Sequence, residues 1–432
     1  MTAALVAERA GRAGAAVWIA SPENDDVRVA RQFVACEPVA TLEGSRVSDL
    51  SALEQMWRRA RAEWGNPTES WVPVAAGYLS YDLGLQVVPG TFHPQREITW
   101  PGLVWWFFDA VWCRDEESDQ TQIVARDEAA AERLLGRLAR GDGDVGHEAR
   151  RDRPDSTSMS ELVAPEVPAL HIAAVERVLA HLRAGDVYQV NLARRLEADA
   201  PLASALAAQL SRDAAAPHAF WMSWPDGRAL VGNSPERFLR VDRDRLVETR
   251  PIKGTRSRRL ATEDPAAQEL MASAKDDAEH VMIVDLERND LGRVCETGSV
   301  RVASYKRLVS LPTVHHLVST VQGRLRQDVG LRELLTATFP GGSVTGAPKR
   351  RAMEIISELE STRRGPYTGA TGWLGAGGDL DLAVAIRTAA IEEDRLTLWV
   401  GGGIVMDSDP RQELAETEVK AAAFTRALRG SR

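Results

Sequence analysis

Two turn signals constrain the middle of this chain more than any other feature. Pro225-Asp226-Gly227 separates two strand-like runs, Phe220 to Trp224 and Ala229 to Gly232. Asp242-Arg243-Asp244 separates Arg237 to Val241 from Leu246 to Thr249 in the same way. Such pairs read as hairpins, and a hairpin is antiparallel by construction. The second hairpin puts Glu236 and Lys253 toward the same end of neighbouring strands. A carboxylate near an amine is either a surface ion pair worth under ~1 kcal/mol or the acid/base partner of a nucleophile.

Lys253 stands in Arg250-Pro251-Ile252-Lys253-Gly254-Thr255, flanked by Ile252 and Gly254 and not by other basic residues. An amine so placed can lose solvation, which lowers its pKa and makes it a nucleophile. Taken alone, the stretch reads as an ordinary turn lysine. The rest of the chain reverses that preference.

Composition removes several alternatives. The chain has 432 residues, 44% apolar and 27% charged, which fits a globular protein with a substantial core. A net charge of −9 argues against nucleic acid or an anionic membrane as the main partner. Cys36, Cys113 and Cys295 are widely spaced and form no CxxC pair, as expected of a reducing compartment. The N-terminus shows no signal pattern, and no run is long and apolar enough to span a bilayer. The expected location is cytoplasmic.

Residues 1–140 carry no obvious chemical motif but many tryptophans, whose default place is the core. Ser51 to Trp64 and Ala129 to Leu138 read as helices; Val74 to Asp82 and Leu103 to Trp112 read as strands. Residues 141–165 are Gly-, Asp-, Arg- and Ser-rich and read as an exposed linker. The chemistry lies in residues 166–432. Ile172 to Arg183 is a helix by spacing, with Gly185 at its C-terminal cap. In the strand that follows, Gln189 and Asn191 alternate with Tyr188, Val190 and Leu192. Two amides on one face either hydrogen-bond a polar ligand or face water.

Thr262 to Leu291 reads as one long helix capped by Thr262, with an apolar stripe of Ala274, Ala278, Met282 and Leu286. Asp276 and Glu279 share a face of it, and Glu413, Glu416 and Lys420 share a face of the last helix, opened by Asp409-Pro410. Carboxylates on two helices can hold Mg²⁺; by spacing alone they are better explained as solvated surfaces. His315 and His316 are adjacent on a strand and point to opposite sides, so at most one faces a given site. Phe339 to Lys349 is a Gly-rich loop opening a helix, which suits an anion but matches neither a P-loop nor a dinucleotide fingerprint. Tyr367 to Val405 reads as a meander of strands that carries Arg387 and ends in Gly401-Gly402-Gly403, where a ligand can approach the backbone.

Together these runs resemble the chorismate-utilising enzymes, from Ile172 to the C-terminus and again at Gly77-Tyr78-Leu79-Ser80-Tyr81-Asp82-Leu83-Gly84. Within that family the resemblance is nearest to the large subunits of aminodeoxychorismate synthases and next to those of anthranilate synthases. It implies an α+β fold, two large antiparallel sheets packed as a sandwich with helices outside. It implies Mg²⁺ held by Glu279 and Glu416, with Asp276 and Glu413 in support, gripping the ring carboxylate of chorismate. Tyr367, Arg387 and the backbone of Gly401 and Gly403 would bind the second carboxylate. Gln189, Asn191, Ser343, Thr345 and Lys420 would line the substrate, and His316 would be the active-site histidine. Lys253 would attack C2 of chorismate as the C4 hydroxyl leaves, helped by Glu236, before ammonia enters at C4. The product would feed 4-aminobenzoate and folate. None of the three cysteines sits in a glycine-flanked nucleophile elbow, so ammonia is expected from a partner glutaminase. Anthranilate formation and a non-catalytic chorismate-binding subunit are the alternatives.

Overall fold

The computed structural model describes residues 15–22, 29–65, 71–88, 90–91, 100–139, 161–258, 264–311 and 314–429, with Val6 and Ala10. Most of the expected linker, and Thr262, lie outside the described residues.

The hairpin signals are met. Leu230 pairs with Met222, and Arg240 with Glu248, in antiparallel register. They belong to two antiparallel sheets of ten strands each. The first runs in the order Gly346–Ala347, Gln189–Asp199, Arg395–Ile404, Thr388–Glu392, Ala229–Ser234, His218–Ser223, Ala16–Pro22, Val29–Cys36, Ala110–Asp115 and Thr121–Ala125. The second runs Ile252–Ser257, Val314–Arg324, Leu246–Arg250, Arg237–Val241, Leu380–Val384, Ala370–Gly375, Pro73–Leu79, Leu103–Phe107 and Ala40–Gly44. Arg301–Ser310 pairs with Val314–Arg324 off this path. Both halves of the sequence therefore supply strands to both sheets.

Three apolar layers account for the sandwich. Val17, Phe220, Met222 and Leu230 of the first sheet meet Ala76, Tyr78, Trp106 and Trp373 of the second. Helix Asp49–Trp64 and helix Leu331–Thr338 cover the outer face of the second sheet. Helices Glu128–Ala139, Ala203–Asp213 and Pro410–Arg429 cover that of the first. Trp18, Trp57, Trp100, Trp105, Trp106 and Trp112 are buried in these layers as core, while Trp64 and Trp71 are half-buried against it. Removing so much apolar area from water is the main favourable term for a fold of this kind.

Two connections differ from the sequence reading. The run Leu103 to Trp112 is two strands, Leu103–Phe107 in the second sheet and Ala110–Asp115 in the first. Periodicity alone cannot show that a strand changes sheets. The meander does the same: Leu380–Val384 lies in the second sheet and Thr388–Glu392 in the first. Arg387 sits at the crossing with a positive φ of 50°.

The long helix is also two. Pro265–Ala272, capped by the Asp264 carboxylate, stops at Ser273, whose backbone is extended. The Ser273 carbonyl then accepts the Asp277 N–H, and a second helix runs Ala274–Gly292. That second helix buries His280, Ile283, Val284, Glu287, Asp290 and Leu291, while Ala278 is exposed. The four-residue apolar stripe was not its buried face; the face turned inward carries two carboxylates.

Candidate active site

Strands Gln189–Asp199 and Arg395–Ile404 pair with Asn191 opposite Gly403 and Ala193 opposite Gly401. Alternation puts Gln189, Asn191, Gly401 and Gly403 on one face of the first sheet. The two amides are buried rather than water-facing. Both polar atoms of Gln189, and Oδ1 of Asn191, have no hydrogen-bond partner. Buried polar groups are normally paired, so three orphan atoms on one face mark a place for a polar ligand.

Lys253 reaches this face from the other sheet. A Cβ on Gly403 would stand 2.9 Å from Gln189 Nε2 and 3.0 Å from Lys253 Nζ. The strand Ile252–Ser257 shifts register between Lys253 and Thr255, at Gly254, which has a φ of +79°. Burial lowers the pKa of the Lys253 ammonium; Glu279, Glu236 and Glu416 oppose that shift and Lys420 adds to it.

Glu236 lies beside it. Burial pushes its carboxyl up to about 7, against the Ser343 hydroxyl, Lys253, the Ile252 N–H and Arg387, all of which favour the charged form. The guanidinium of Arg387 makes no hydrogen bond to a described residue; burial depresses its pKa and Glu236 opposes this. Of the two histidines, His315 is held between Ser310 and Asp264, at 2.8 and 3.0 Å. His316 bonds Thr255 Oγ1 through Nδ1 at 2.9 Å, while its Nε2 is buried without a partner. Burial, with Arg387 next in weight, brings His316 down to about 3, so its imidazole is neutral near pH 7.

The last helix closes one side. A Cβ on Gly402 would lie 3.3 Å from Glu413 Oε2, 3.5 Å from Lys420 Nζ and 3.6 Å from Glu416 Oε1. Lys420 donates to the Gly401 carbonyl at 2.7 Å and pairs with Glu416 at 2.7 Å. Ser408 donates to Glu413 at 2.6 Å. Glu279, on helix Ala274–Gly292, and Glu416, on the last helix, both favour the charged form of Lys253. The side chain of Asp276 lies outside the described residues.

Ser343 and Thr345 occupy the loop between the sheets. Ser343 donates to Glu236. Thr345 turns its hydroxyl back to the Gly341 carbonyl at 2.9 Å. Tyr367 packs with Ala193 and Trp399, its ring stacked 6.1 Å from that of Trp399.

Sequence reasoning missed what holds this loop. The buried Arg364 donates to the carbonyls of Val344 and Asn191 at 3.0 and 2.6 Å, pairs with Glu360 at 2.6 Å, and lies over the Tyr81 ring. A Cβ on Gly84 would come 2.3 Å from Pro340. The Gly77 to Gly84 motif is therefore a floor for the loop, a role that only contacts across the fold display. The loop also takes no external anion at Gly342, because Glu287 already accepts that N–H at 2.9 Å.

A model of one family, described as chorismate binding enzyme, matches residues 14–426. The chain belongs to the chorismate-binding enzymes. An anthranilate synthase component 1 of Haloarcula marismortui is 37% identical, covering 88% of this chain and 78% of that one. An aminodeoxychorismate synthase component 1 of Bacillus subtilis is 35% identical, covering 88% and 82%. The crystal structure of anthranilate synthase component I from Streptococcus pneumoniae superposes with a TM-score of 0.76 at 28% identity, covering 94% of each chain. The chain is thus a chorismate-utilising enzyme with the fold of that family. Among the described residues, no helix is long and apolar enough to cross a membrane.

The carboxylates are oxygen donors of the kind Mg²⁺ takes, and Glu413 and Glu416 come together beside Gly402. Among the described residues no three acidic, histidine or cysteine side chains enclose a metal by themselves. Mg²⁺ keeps waters and takes one or two protein carboxylates together with oxygens of the substrate.

Proposed function

We propose that this chorismate-utilising enzyme forms 4-amino-4-deoxychorismate from chorismate and ammonia. The observation that carries the reading is the place of Lys253, with Nζ against Gly403 and Gln189 and the Glu236 carboxyl beside it. A lysine with a lowered pKa offers a neutral amine. A buried carboxyl poised near 7 can give a proton to a leaving group and take it back.

In this reading the Lys253 amine adds to C2 of chorismate and loses a proton. The ring double bonds shift, and the C4–O bond breaks. Glu236 protonates the departing hydroxyl, which leaves as water. Ammonia then bonds to C4 and gives up a proton, the double bonds shift back, and the C2–N bond breaks as the lysine nitrogen takes up a proton, releasing Lys253 as the amine. Arg387 and Tyr367, with the backbone of Gly401 and Gly403, bind one carboxylate of the substrate. Gln189 and Asn191 satisfy their orphan atoms on its polar groups. Neutral His316 and Lys420 complete the lining. Glu279 and Glu416, supported by Asp276 and Glu413, would hold Mg²⁺, which would neutralise the ring carboxylate when bound. Ammonia comes from a partner glutaminase: Cys36, Cys113 and Cys295 are all buried. Burial pushes the Cys36 and Cys295 thiols up to about 11 and Cys113 higher still, which does not suit a thiolate nucleophile.

The test is the purified chain with chorismate, Mg²⁺ and ammonium salt, read by mass spectrometry. Aminodeoxychorismate without pyruvate supports the reading. Anthranilate with pyruvate would overturn it in favour of an anthranilate synthase and leave Lys253 a bystander.

A further inference from the structure

Glu287 is not among the groups used above, yet it lies buried beneath them. It shares helix Ala274–Gly292 with Glu279, eight residues on, about 12 Å along the axis. Its Oε1 accepts the Gly342 N–H at 2.9 Å, and its Oε2 is 3.5 Å from the Thr249 hydroxyl. A Cβ on Gly342 would stand 2.6 Å from Leu286 Cδ2 and 3.1 Å from Glu287 Oε1, so the loop rests directly on the helix. The next residue, Ser343, donates its hydroxyl to Glu236. Asn191 holds the Ser343 carbonyl at 3.4 Å and the Thr345 carbonyl at 2.9 Å, and Arg364 holds the Val344 carbonyl at 3.0 Å. Glu287 therefore grips the N–H of the Gly341–Gly342 peptide, one peptide before Ser343.

We propose that Glu287 is a positioning residue for Glu236, fixing the Gly341–Gly342 peptide, hence the place of the next residue, Ser343, and, through the Ser343 hydroxyl, the direction of the Glu236 carboxyl toward Lys253. The proposal rests on the acid/base role given to Glu236 above. The charged groups facing Glu287 are Asp290 on its own helix, Lys349 at the start of the helix after the loop, and Glu236 itself. Burial first, then Asp290, pushes Glu287 up to about 7, so its charge responds to the same neighbourhood as that of Glu236.

The test uses the full chain with chorismate, Mg²⁺ and ammonium, following whichever amino product the wild type forms. Glu287→Ala, and the volume-keeping Glu287→Leu, should lower kcat by on the order of 10- to 100-fold, because a small displacement of an acid costs about that much. KM for chorismate should stay within about twofold, since binding groups are untouched. Glu287→Gln keeps an oxygen for the Gly342 N–H and should recover most of the rate. Ser343→Ala should show a similar loss, and Glu287→Leu with Ser343→Ala should be no worse than the poorer single variant, as expected of residues acting through one path. Losses that multiply, an unchanged kcat, or a raised KM with kcat intact would overturn the relay. Full activity of Glu236→Gln would instead overturn the acid/base reading, which separates the two failures.

Discussion

Gly403 makes room for Lys253: a Cβ there would stand 3.0 Å from the lysine Nζ and 2.9 Å from Gln189 Nε2. Both obstructing atoms are the far ends of flexible side chains, so the fold can yield while the amine cannot keep its place. Gly403→Ala should therefore fold with a Tm near wild type and lose on the order of 100-fold in kcat/KM. Circular dichroism and initial rates check this; unimpaired turnover would remove Lys253 from the reaction.

Lys253→Ala should abolish amination while leaving chorismate bound. The amine is needed as a nucleophile, whereas Arg387, Gln189 and Asn191 remain in place for binding. Calorimetric titration with chorismate and a product assay on the same variant separate the two. Because burial lowers the pKa of the wild-type lysine, its rate should fall with decreasing pH as the amine is protonated.

Glu236→Gln should inactivate the enzyme and stabilise it at alkaline pH. The folded pKa is raised from 4.5 to about 7, so the native state prefers the protonated carboxyl. The wild type thus has its full contribution below about 4.5 and loses it as pH rises through 7, by on the order of 3 kcal/mol. Glutamine carries no charge to bury. Thermal melts at pH 8 should place the variant above the wild type, with the gap closing toward pH 5; a gap independent of pH would contradict the burial of a charge.

Glu416→Gln should weaken Mg²⁺ and chorismate together, if the metal joins enzyme to substrate. Linkage requires each ligand to lose the same coupling, and a loss of roughly 10- to 100-fold is usual even for residues supporting a ligand. Titrations of each ligand with and without the other give the coupling directly. Independent binding would break the proposed bridge, and undiminished activity in excess chelator would remove Mg²⁺ from the scheme.

Much of the site was legible before any coordinates. Hairpin turns announced the antiparallel strands and the nearness of Glu236 to Lys253. Helical spacing put Glu413, Glu416 and Lys420 on one face, where the structure holds them around Gly402. These are local relations, set by a period of two or 3.6 residues. His315 and His316 were separable by the same alternation, which did not say which of them faces Lys253's neighbourhood; only the family resemblance pointed to His316.

The chain's own residues determined its strands, most of its helices, its turns and the residue types of an amine, a carboxyl and two acidic helix faces. Tertiary structure alone decided that two strands change sheets at Phe108-Asp109 and around Arg387. It decided that Ser273 divides a helix, and that Glu287 rather than Met282 faces inward. It alone buried Gln189 and joined Arg364 and Gly84 to a loop 20 residues from one and more than 200 from the other, as Val344 and Pro340 contacts show. The physical reason is that periodicity records which residues share a face, whereas burial, pKa and loop anchoring depend on what packs against that face from distant parts of the chain.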